Sequence, residues 1–399
     1  MARKLQVHNV REKTTVPFLR GILVHSLQNA GLGFSQAHQI ANRVKSDLEP
    51  LPVITTAQLK EGVIFRLHEA GLDQLVPAYR RPRRDYAVQV VDGDGRRSDF
   101  SMSEYRSRLD AIGLRTGEAE QIALAFAEHL MLRKVRRIST RHISRLTYRY
   151  LRRSEQFGPA VARRWLIWQD FVQSGRPLML LIAGTAGSGK STIAADVASH
   201  LAIGRTQSTD ILREVIRSMI SEREQPLLHR SSFAAWTGLP ASAREALTDP
   251  DELLIEGYRR QAAMLTPAIE AVIRRADRES VSLVMEGVHI NPTLMSALPR
   301  ADSAVVVPVL LAVVKRKILR ERICGRSSAA PQRRSRQYLE HFDSIWKLQS
   351  HFLAEAEDAN IPIVINDSRE RVFREIMLAT IAILGRGFTR SPQQVFGER

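Results

Sequence analysis

A glycine-rich segment that ends in lysine and serine is the part of this sequence best suited to chemistry. Residues 178–191 read LMLLIAGTAGSGKS, an apolar run followed by G-x-x-x-x-G-K-S, and a helical spacing of apolar residues comes next. This order of strand, loop and helix is typical of a phosphate-binding loop, the Walker A motif. Glycines let successive backbone N–H groups point inward, and the helix start adds partial positive charge. The sequence therefore predicts that nucleotide phosphates bind to Gly184, Thr185, Ala186, Gly187, Ser188, Gly189, Lys190, Ser191 and Thr192.

Two side chains of this loop have separate predicted roles. The Lys190 ammonium can reach the β- and γ-phosphates of ATP, and the Ser191 hydroxyl can bind Mg²⁺. We therefore predict ATP as the phosphate donor and Mg²⁺ as the cofactor, with Lys190 as a catalytic residue.

Polar residues at or after the ends of other predicted strands supply further candidates, because ligands of a parallel sheet collect beyond the carboxyl ends of its strands. After a short run near Arg205, Asp210 is either a helix cap or the group that orients the acceptor hydroxyl. After the run from Ser282, Glu286 has the Walker B position and would hold Mg²⁺ directly or through water. His289 either faces the acceptor's phosphate or is an ordinary loop histidine.

Two more polar segments suit an anionic substrate. Arg213 lies in the helical pattern that begins near residue 211, and a short stretch further on carries the candidates His229, Arg230, Ser231 and Ser232. A polar helix start anchored in the core by Phe233 and Trp236 is the alternative for this stretch, and the two interpretations are compatible.

An arginine-rich helical segment resembles a lid over transferred phosphate. It contains Arg316, Arg320, Arg322 and Arg326. Guanidinium groups bind phosphate with two parallel hydrogen bonds and can neutralise charge in the transition state. We predict Arg322 and Arg326 as catalytic residues, and a solvated basic helix is the alternative.

The strands and helices predicted around these groups indicate an α/β domain over residues 177–388. Short apolar runs predict strands at 178–183, 282–286, 304–311 and 362–365, a further short strand is predicted at 205–207, and helical stretches separate them. This alternation is typical of a parallel sheet flanked by helices. A stretch with Ser, Gly and Pro, residues 173–177, predicts the linker before the first of these strands.

The preceding half of the chain contains an internal repeat. The stretch 18–48 matches the stretch 100–130, with A-G-L in the first copy aligned with I-G-L in the second. In each copy, the spacing of apolar residues predicts a short extended segment followed by three or four amphipathic helices. We therefore predict two mainly helical domains, residues 1–85 and 86–172.

The first copy resembles the ATP-cone, a small regulatory domain that binds ATP or dATP. The likeness rests on the opening V-x-N-V-R-E-K…P-F and on the helix end S-L-x-x-A-G-L, and it is weaker in the second copy, which has a Gly-Asp-Gly turn in place of Pro-Phe. It implies a nucleotide at the basic end of the first copy, where the candidates are Arg3, Lys4, Arg11 and Lys13. A purely structural region that docks on the kinase or dimerises is the alternative.

Residues 177–368 resemble the 2-phosphoglycerate kinase family. The likeness rests on GTAGSGKS together with STDILREV, LHRSSFAAW, VMEGVHINP and RQYLEHFDSIWKLQ. The resemblance implies a P-loop NTPase kinase fold and ATP-dependent phosphorylation of 2-phosphoglycerate to 2,3-bisphosphoglycerate. Related sequences occur where that product is not expected, so an inositol or sugar phosphate stays open as the acceptor.

Composition and charge limit the remaining classes of protein and of binding site. The formal net charge of +17 suits polyanionic ligands, so a nucleotide-sensing regulator that binds nucleic acid is the alternative from another class. The single cysteine, Cys324, excludes an intramolecular disulfide and a multi-cysteine zinc site. No run approaches a membrane span. We expect a cytoplasmic enzyme and leave open whether it forms a homo-oligomer.

Overall fold

The chain forms two compact units, Met1–Gln89 and Val90–Arg399. The computed structural model describes residues 5–9, 14–18, 23–24, 26–27, 30–32, 34–48, 51, 53–80, 88–133, 135–297, 303–325 and 338–397. Within these ranges no helix is long and apolar enough to cross a membrane.

The first unit is a three-stranded sheet covered by helices. Its elements are β1 (Gln6–Asn9), β2 (Thr14–Pro17), α1 (Phe34–Leu48), β3 (Val53–Thr55), α2 (Thr56–Glu69), a 3₁₀ turn (Asp73–Leu75) and α3 (Val76–Arg80). Strand β1 pairs antiparallel with β2 and parallel with β3. Thr55 caps α2, because its hydroxyl accepts from the Gln58 amide at 3.2 Å and the Gln58 side chain accepts from the Thr55 amide at 2.8 Å.

The second unit begins with elements in the same order. They are β4 (Gln89–Val91), β5 (Arg97–Asp99), α4 (Met102–Asp110), α5 (Thr116–Leu132), β6 (Arg137–Ser139), α6 (Thr140–Arg153) and α7 (Gly158–Ser174). The sheet order β5-β4-β6 repeats the order β2-β1-β3, which agrees with the repeat in the sequence. Ser139 caps α6 by accepting from the His142 amide at 3.1 Å, in the position that Thr55 has in the first copy.

A five-stranded parallel sheet forms the rest of the second unit. Its strands are β7 (Leu178–Ala183), β8 (Thr206–Ser208), β9 (Leu283–Gly287), β10 (Val305–Ala312) and β11 (Ile363–Ile365), in the order β11-β10-β7-β9-β8. The flanking helices are α8 (Lys190–His200), α9 (Thr209–Met219), α10 (Ala241–Ala246), α11 (Pro250–Arg278), α12 (Pro292–Ala297), α13 (Arg316–Gly325), α14 (Phe342–Asp358), α15 (Arg369–Leu384) and α16 (Pro392–Phe396), with 3₁₀ turns at Pro226–His229 and Ser232–Gly238. The five predicted strands and the α/β fold class are confirmed.

The central strand β7 carries the phosphate-binding loop, and every residue of this strand is buried. Met179 and Leu181 pack in one cluster with Leu265 of α11 and Phe352 of α14. Burial on both faces explains why β7 reads as an unbroken apolar run instead of an alternating one.

The second helical copy shares its packing with the sheet domain. Helix α7 packs against α15 and α16. Asp170 of α7 has a side chain only 3% exposed; it accepts from the Arg390 amide at 3.0 Å and forms an ion pair with the Arg390 guanidinium. Gly175 ends α7 with a φ of 68°, so the predicted linker is a tight left-handed turn into β7.

Candidate active site

The loop after β7 has the backbone of an anion nest. Gly184, Gly187 and Gly189 have φ values of 150°, 83° and 89°, in a region that favours glycine. A Cβ at Gly184 would lie 2.5 Å from the Leu311 carbonyl oxygen, and one at Gly189 would lie 2.6 Å from Asn366 Nδ2. Conformation and space therefore both require glycine at these two positions.

Polar groups in the loop are left for a ligand. Thr185 and Ser188 are 1% and 0% exposed, and their hydroxyls have no hydrogen-bond partner in the described part of the chain. Lys190 Nζ donates to the Thr185 carbonyl at 3.0 Å. A buried hydroxyl without a partner costs free energy, which a phosphate with its acceptor oxygens would recover. The loop therefore fits a nucleotide phosphate.

A hydroxyl and a carboxylate meet beside the loop. Ser191 Oγ, at the start of α8, donates to Glu286 Oε1 at the end of β9 over 2.9 Å. Mg²⁺ in kinases takes one or two protein oxygens and completes its shell with phosphate oxygens and water. No cluster of three His, Cys, Asp or Glu side chains that could bind a metal occurs in the ranges the structure covers. The Ser191–Glu286 pair thus fits a magnesium ion held jointly with ATP.

Asp210 lies at the same edge of the sheet, in the first turn of α9. The pairing of β8 with β9 places Ser208 opposite Glu286. Ser208 caps α9, because its hydroxyl accepts from the Asp210 amide at 3.2 Å. Since another residue provides the cap, the exposed Asp210 carboxylate is left for the second predicted role, towards an acceptor hydroxyl.

The segment predicted to bind the acceptor is held firmly. His229 Nε2 donates to the Ile220 carbonyl at 2.8 Å, and the Arg230 guanidinium lies 3.0 Å from a Glu222 carboxylate oxygen. Arg213 Nη1 of α9 donates to the Arg230 carbonyl. His229 and Arg213 therefore brace this segment.

One residue of this segment, Phe233, lies in the core. Phe233 is 2% exposed and packs with Leu319 and Ile323 of α13, so it anchors the segment in the core. Ser231 and Ser232 remain partly exposed beside it.

Arg322 is connected to the phosphate-binding loop through an asparagine. Arg322 Nη2 donates to the Asn366 carbonyl at 2.9 Å, and Asn366 Nδ2 donates to the Ser188 carbonyl at 2.7 Å. Asn366 follows directly on β11, so the rule that ligands collect at strand ends could have found it. Arg326, the other predicted lid residue, lies outside the described residues.

The remaining arginines of α13 lie over aromatic rings. The guanidinium carbons of Arg316 and Arg320 are 5.3 and 5.9 Å from the centre of the Phe342 ring. Arg316 also pairs with Asp343. These contacts make Arg316 part of the packing between α13 and α14.

His289 is buried behind this edge and has both ring nitrogens engaged. It is 1% exposed; Nδ1 lies 3.2 Å from Thr209 Oγ1 and Nε2 lies 3.2 Å from Gln261 Oε1. Burial lowers the pKa of His289 to about 4, although the charge of Asp210 opposes this shift. The His289 imidazole is therefore neutral, and both of its nitrogens bond to protein side chains.

Sequence reasoning missed Thr209 and Gln261. A signal existed for Gln261, because it follows Leu254 and Tyr258 on the apolar stripe of α11 that continues to Leu265, and a polar side chain on a buried stripe must find partners. Thr209 had no comparable signal.

A cavity of about 700 Å³ lies in the second helical copy. Its lining includes Arg108, Ser139, Thr140, Arg141, Trp168 and Gln169. The basic residues expected to meet a nucleotide in the first copy, Arg3, Lys4, Arg11 and Lys13, fall outside the described residues.

Several curated proteins similar to this chain are 2-phosphoglycerate kinases. That of Methanocaldococcus jannaschii is 32% identical over 279 residues, 69% of this chain and 86% of that protein. That of Methanopyrus kandleri is 30% identical, over 70% of this chain and 82% of that protein. That of Pyrococcus horikoshii is 29% identical over 306 residues, 75% of this chain and 97% of that protein. This alignment is longer than residues 177–388, so it extends into the helical region. No family model matches the chain.

Proposed function

Because this chain belongs to the 2-phosphoglycerate kinase family, we propose that it transfers the γ-phosphoryl group of ATP to 2-phosphoglycerate and forms 2,3-bisphosphoglycerate. The observation that carries the proposal is the convergence of three groups at one edge of the sheet. Lys190 follows β7, Asp210 follows β8, and Glu286 is the next-to-last residue of β9.

The reaction can be assigned to these groups step by step. The free C3 hydroxyl oxygen of the acceptor attacks the γ-phosphorus, the bond to the β–γ bridging oxygen breaks, and ADP leaves. The Asp210 carboxylate orients the hydroxyl and receives its proton. Lys190 and the loop amides stabilise charge on the β- and γ-phosphate oxygens. Magnesium bound at Ser191 and Glu286 would supply positive charge between the phosphates.

The charge of the acceptor matches the segment beside Asp210. 2-Phosphoglycerate carries a carboxylate and a phosphate, and these need cationic and hydroxyl partners. Arg230, Ser231 and Ser232 are exposed or partly exposed there, whereas His229 is bonded to the Ile220 carbonyl. We therefore assign acceptor contacts to Arg230 and the two serines, and a bracing role to His229.

A panel of acceptors tests the proposal. ATP consumption is measured with 2-phosphoglycerate, 3-phosphoglycerate, a sugar phosphate and an inositol phosphate, and the product is identified by phosphorus NMR. Turnover with 2-phosphoglycerate and a product with two phosphomonoester signals are expected. Turnover with the inositol or sugar phosphate alone would move the acceptor to the alternative class. Failure of all four would refute the proposal.

We further propose that the helical region senses a nucleotide, and that the cavity of the second copy is its site. The volume of about 700 Å³ lies within the usual range for small-ligand pockets, roughly 300–1,000 Å³. Arg108 and Arg141 bring positive charge, and Trp168 offers a ring on which a base can stack. This placement differs from the sequence-based expectation, which favoured the first copy.

Counting bound nucleotide tests this second proposal. Equilibrium dialysis with ATP and with dATP should give two sites per chain, one of them lost in Arg108→Glu while the site at the phosphate-binding loop stays. Quenching of tryptophan fluorescence at the second site should disappear in Trp168→Phe. A single site in the unaltered protein would refute it.

A further inference from the structure

Three side chains from three separate elements form one line of hydrogen bonds behind the active site. They are Thr209 at the start of α9, His289 after β9 and Gln261 on α11. Their exposed fractions are 0%, 1% and 0%. The proposed mechanism gives none of them a chemical step, yet burying three polar side chains together is costly unless each is bonded.

The direction of these bonds follows from the outer end of the line. Gln261 Nε2 lies 2.5 Å from the Leu227 carbonyl oxygen and 2.9 Å from the Arg230 carbonyl oxygen. Carbonyl oxygens only accept, so this end of the side chain is the NH₂ group and the other end, Oε1, is an acceptor. His289 Nε2 must therefore carry the hydrogen and donate to Gln261 Oε1.

The direction of the bond between Thr209 and His289 follows from this tautomer. A neutral imidazole with hydrogen on Nε2 has a free lone pair on Nδ1, and Nδ1 then accepts from the Thr209 hydroxyl. All hydrogen bonds of the line therefore point the same way. Thr209 donates to His289, His289 donates to Gln261, and Gln261 donates to backbone carbonyls of residues 227–230.

The two ends of this line carry the two halves of the acceptor site. Thr209 immediately precedes Asp210, the group assigned to the acceptor hydroxyl. The carbonyls bonded by Gln261 belong to the segment that presents Arg230 and the serines. Arg213 provides a parallel connection, because it leaves α9 and donates to the Leu228 carbonyl at 3.4 Å and to the Arg230 carbonyl.

We propose that His289 is a positioning residue, which as the Nε2–H tautomer sets the distance between Asp210 and the acceptor-binding segment through Thr209 and Gln261. The inference rests on the proposed acceptor chemistry. A displacement of about 1 Å between reacting groups can cost on the order of a hundredfold in rate, so a bonded line of this kind has a direct effect on turnover.

The first test is kinetic and compares two substitutions at one position. Thr209→Val removes the hydroxyl and keeps a branched side chain, whereas Thr209→Ser keeps the hydroxyl. The valine variant should lose kcat on the order of tenfold and raise KM for the acceptor, with KM for ATP unchanged. The serine variant should recover most of the loss. A protein that is merely less folded would lose kcat without a change in KM, and this outcome would overturn the proposal.

The second test reads the tautomer in the unaltered protein and needs no acceptor. Histidine labelled with ¹⁵N should show His289 as the Nε2–H tautomer from about pH 5 to pH 8, assigned by the loss of its signals in His289→Asn. The Nδ1–H tautomer, or titration within this range, would overturn the proposal. If the acceptor assay fails but the tautomer is as expected, the fault lies with the proposed reaction and not with the hydrogen-bond line.

Discussion

Gly287→Ala tests how closely Thr209 packs against the backbone of β9. Gly287 ends β9 directly after Glu286, and an added Cβ would lie 1.8 Å from Thr209 Oγ1 and 2.7 and 2.8 Å from Thr209 Cβ and Cγ2. Ordinary contacts between such atoms are near 3.5 Å, so a shift of roughly 1.5 Å or more is needed.

The surroundings decide what moves. Thr209 is fully buried and its hydroxyl is bonded to His289, so turning the side chain away would break this bond inside the core. The start of α9 must therefore shift away from β9 and take Asp210 with it. Overpacking of this kind costs about 1–3 kcal/mol of stability. Moving Asp210 by more than 1 Å should lower kcat on the order of a hundredfold.

The assay pairs kcat/KM with the midpoint of thermal unfolding. The matched control is Gly204→Ala, in the turn before β8, where an added Cβ has no heavy atom within 4 Å. We expect the control to behave as the unaltered protein. The reasoning is refuted if Gly287→Ala keeps both kcat/KM and the unfolding midpoint of the unaltered protein.

Four further substitutions test other parts of the site and the fold. Lys190→Ala should lower turnover on the order of a hundredfold or more while circular dichroism stays unchanged, because charge on the transferred phosphate loses its partner. Arg322→Lys should lower kcat on the order of tenfold, since lysine lacks the planar fork that reaches Asn366; equal kinetics would make Arg322 a surface residue. Glu286→Gln should raise the Mg²⁺ concentration for half-maximal activity on the order of tenfold, and an unchanged Mg²⁺ titration would remove Glu286 from the metal site. Burial raises the pKa of Asp110 from 3.8 to about 6, so this group's contribution to stability falls as pH rises through that window. Asp110→Asn should therefore raise the free energy of unfolding in urea by about 1 kcal/mol at pH 7, after allowance for solvent screening, and by much less at pH 4.

Local apolar runs explain why four of the five strands of the sheet domain could be predicted. Every residue of β7 and β9 is buried, so β7 is a continuous apolar run and β9 begins with one, before Glu286 and Gly287. The strands β3 and β6 were not predicted. Each has three residues with a single buried side chain, and so small a segment carries no periodic pattern. They form because a neighbouring strand offers hydrogen bonds.

The same contrast holds within the site. The phosphate-binding loop is readable because its glycines, lysine and serine are consecutive, and their conformations are set by local backbone geometry. Glu286 was found because it ends a predicted apolar run, and Asp210 because it follows the short strand predicted at 205–207. Thr209 and Gln261 were missed, because their importance depends on a histidine that is 80 and 28 residues away along the chain.

By itself, the sequence determined the glycine-rich loop after β7 and which side chains lie at the ends of the strands, since both depend on residues that are neighbours along the chain. Tertiary structure decided that β9 lies next to β7, and this adjacency brings Glu286 to within 2.9 Å of Ser191. It also decided the state of His289. A loop histidine could have faced a ligand, but burial among Thr209 and Gln261 left it neutral with both nitrogens bonded, because desolvation disfavours the charged ring and each buried nitrogen requires a partner.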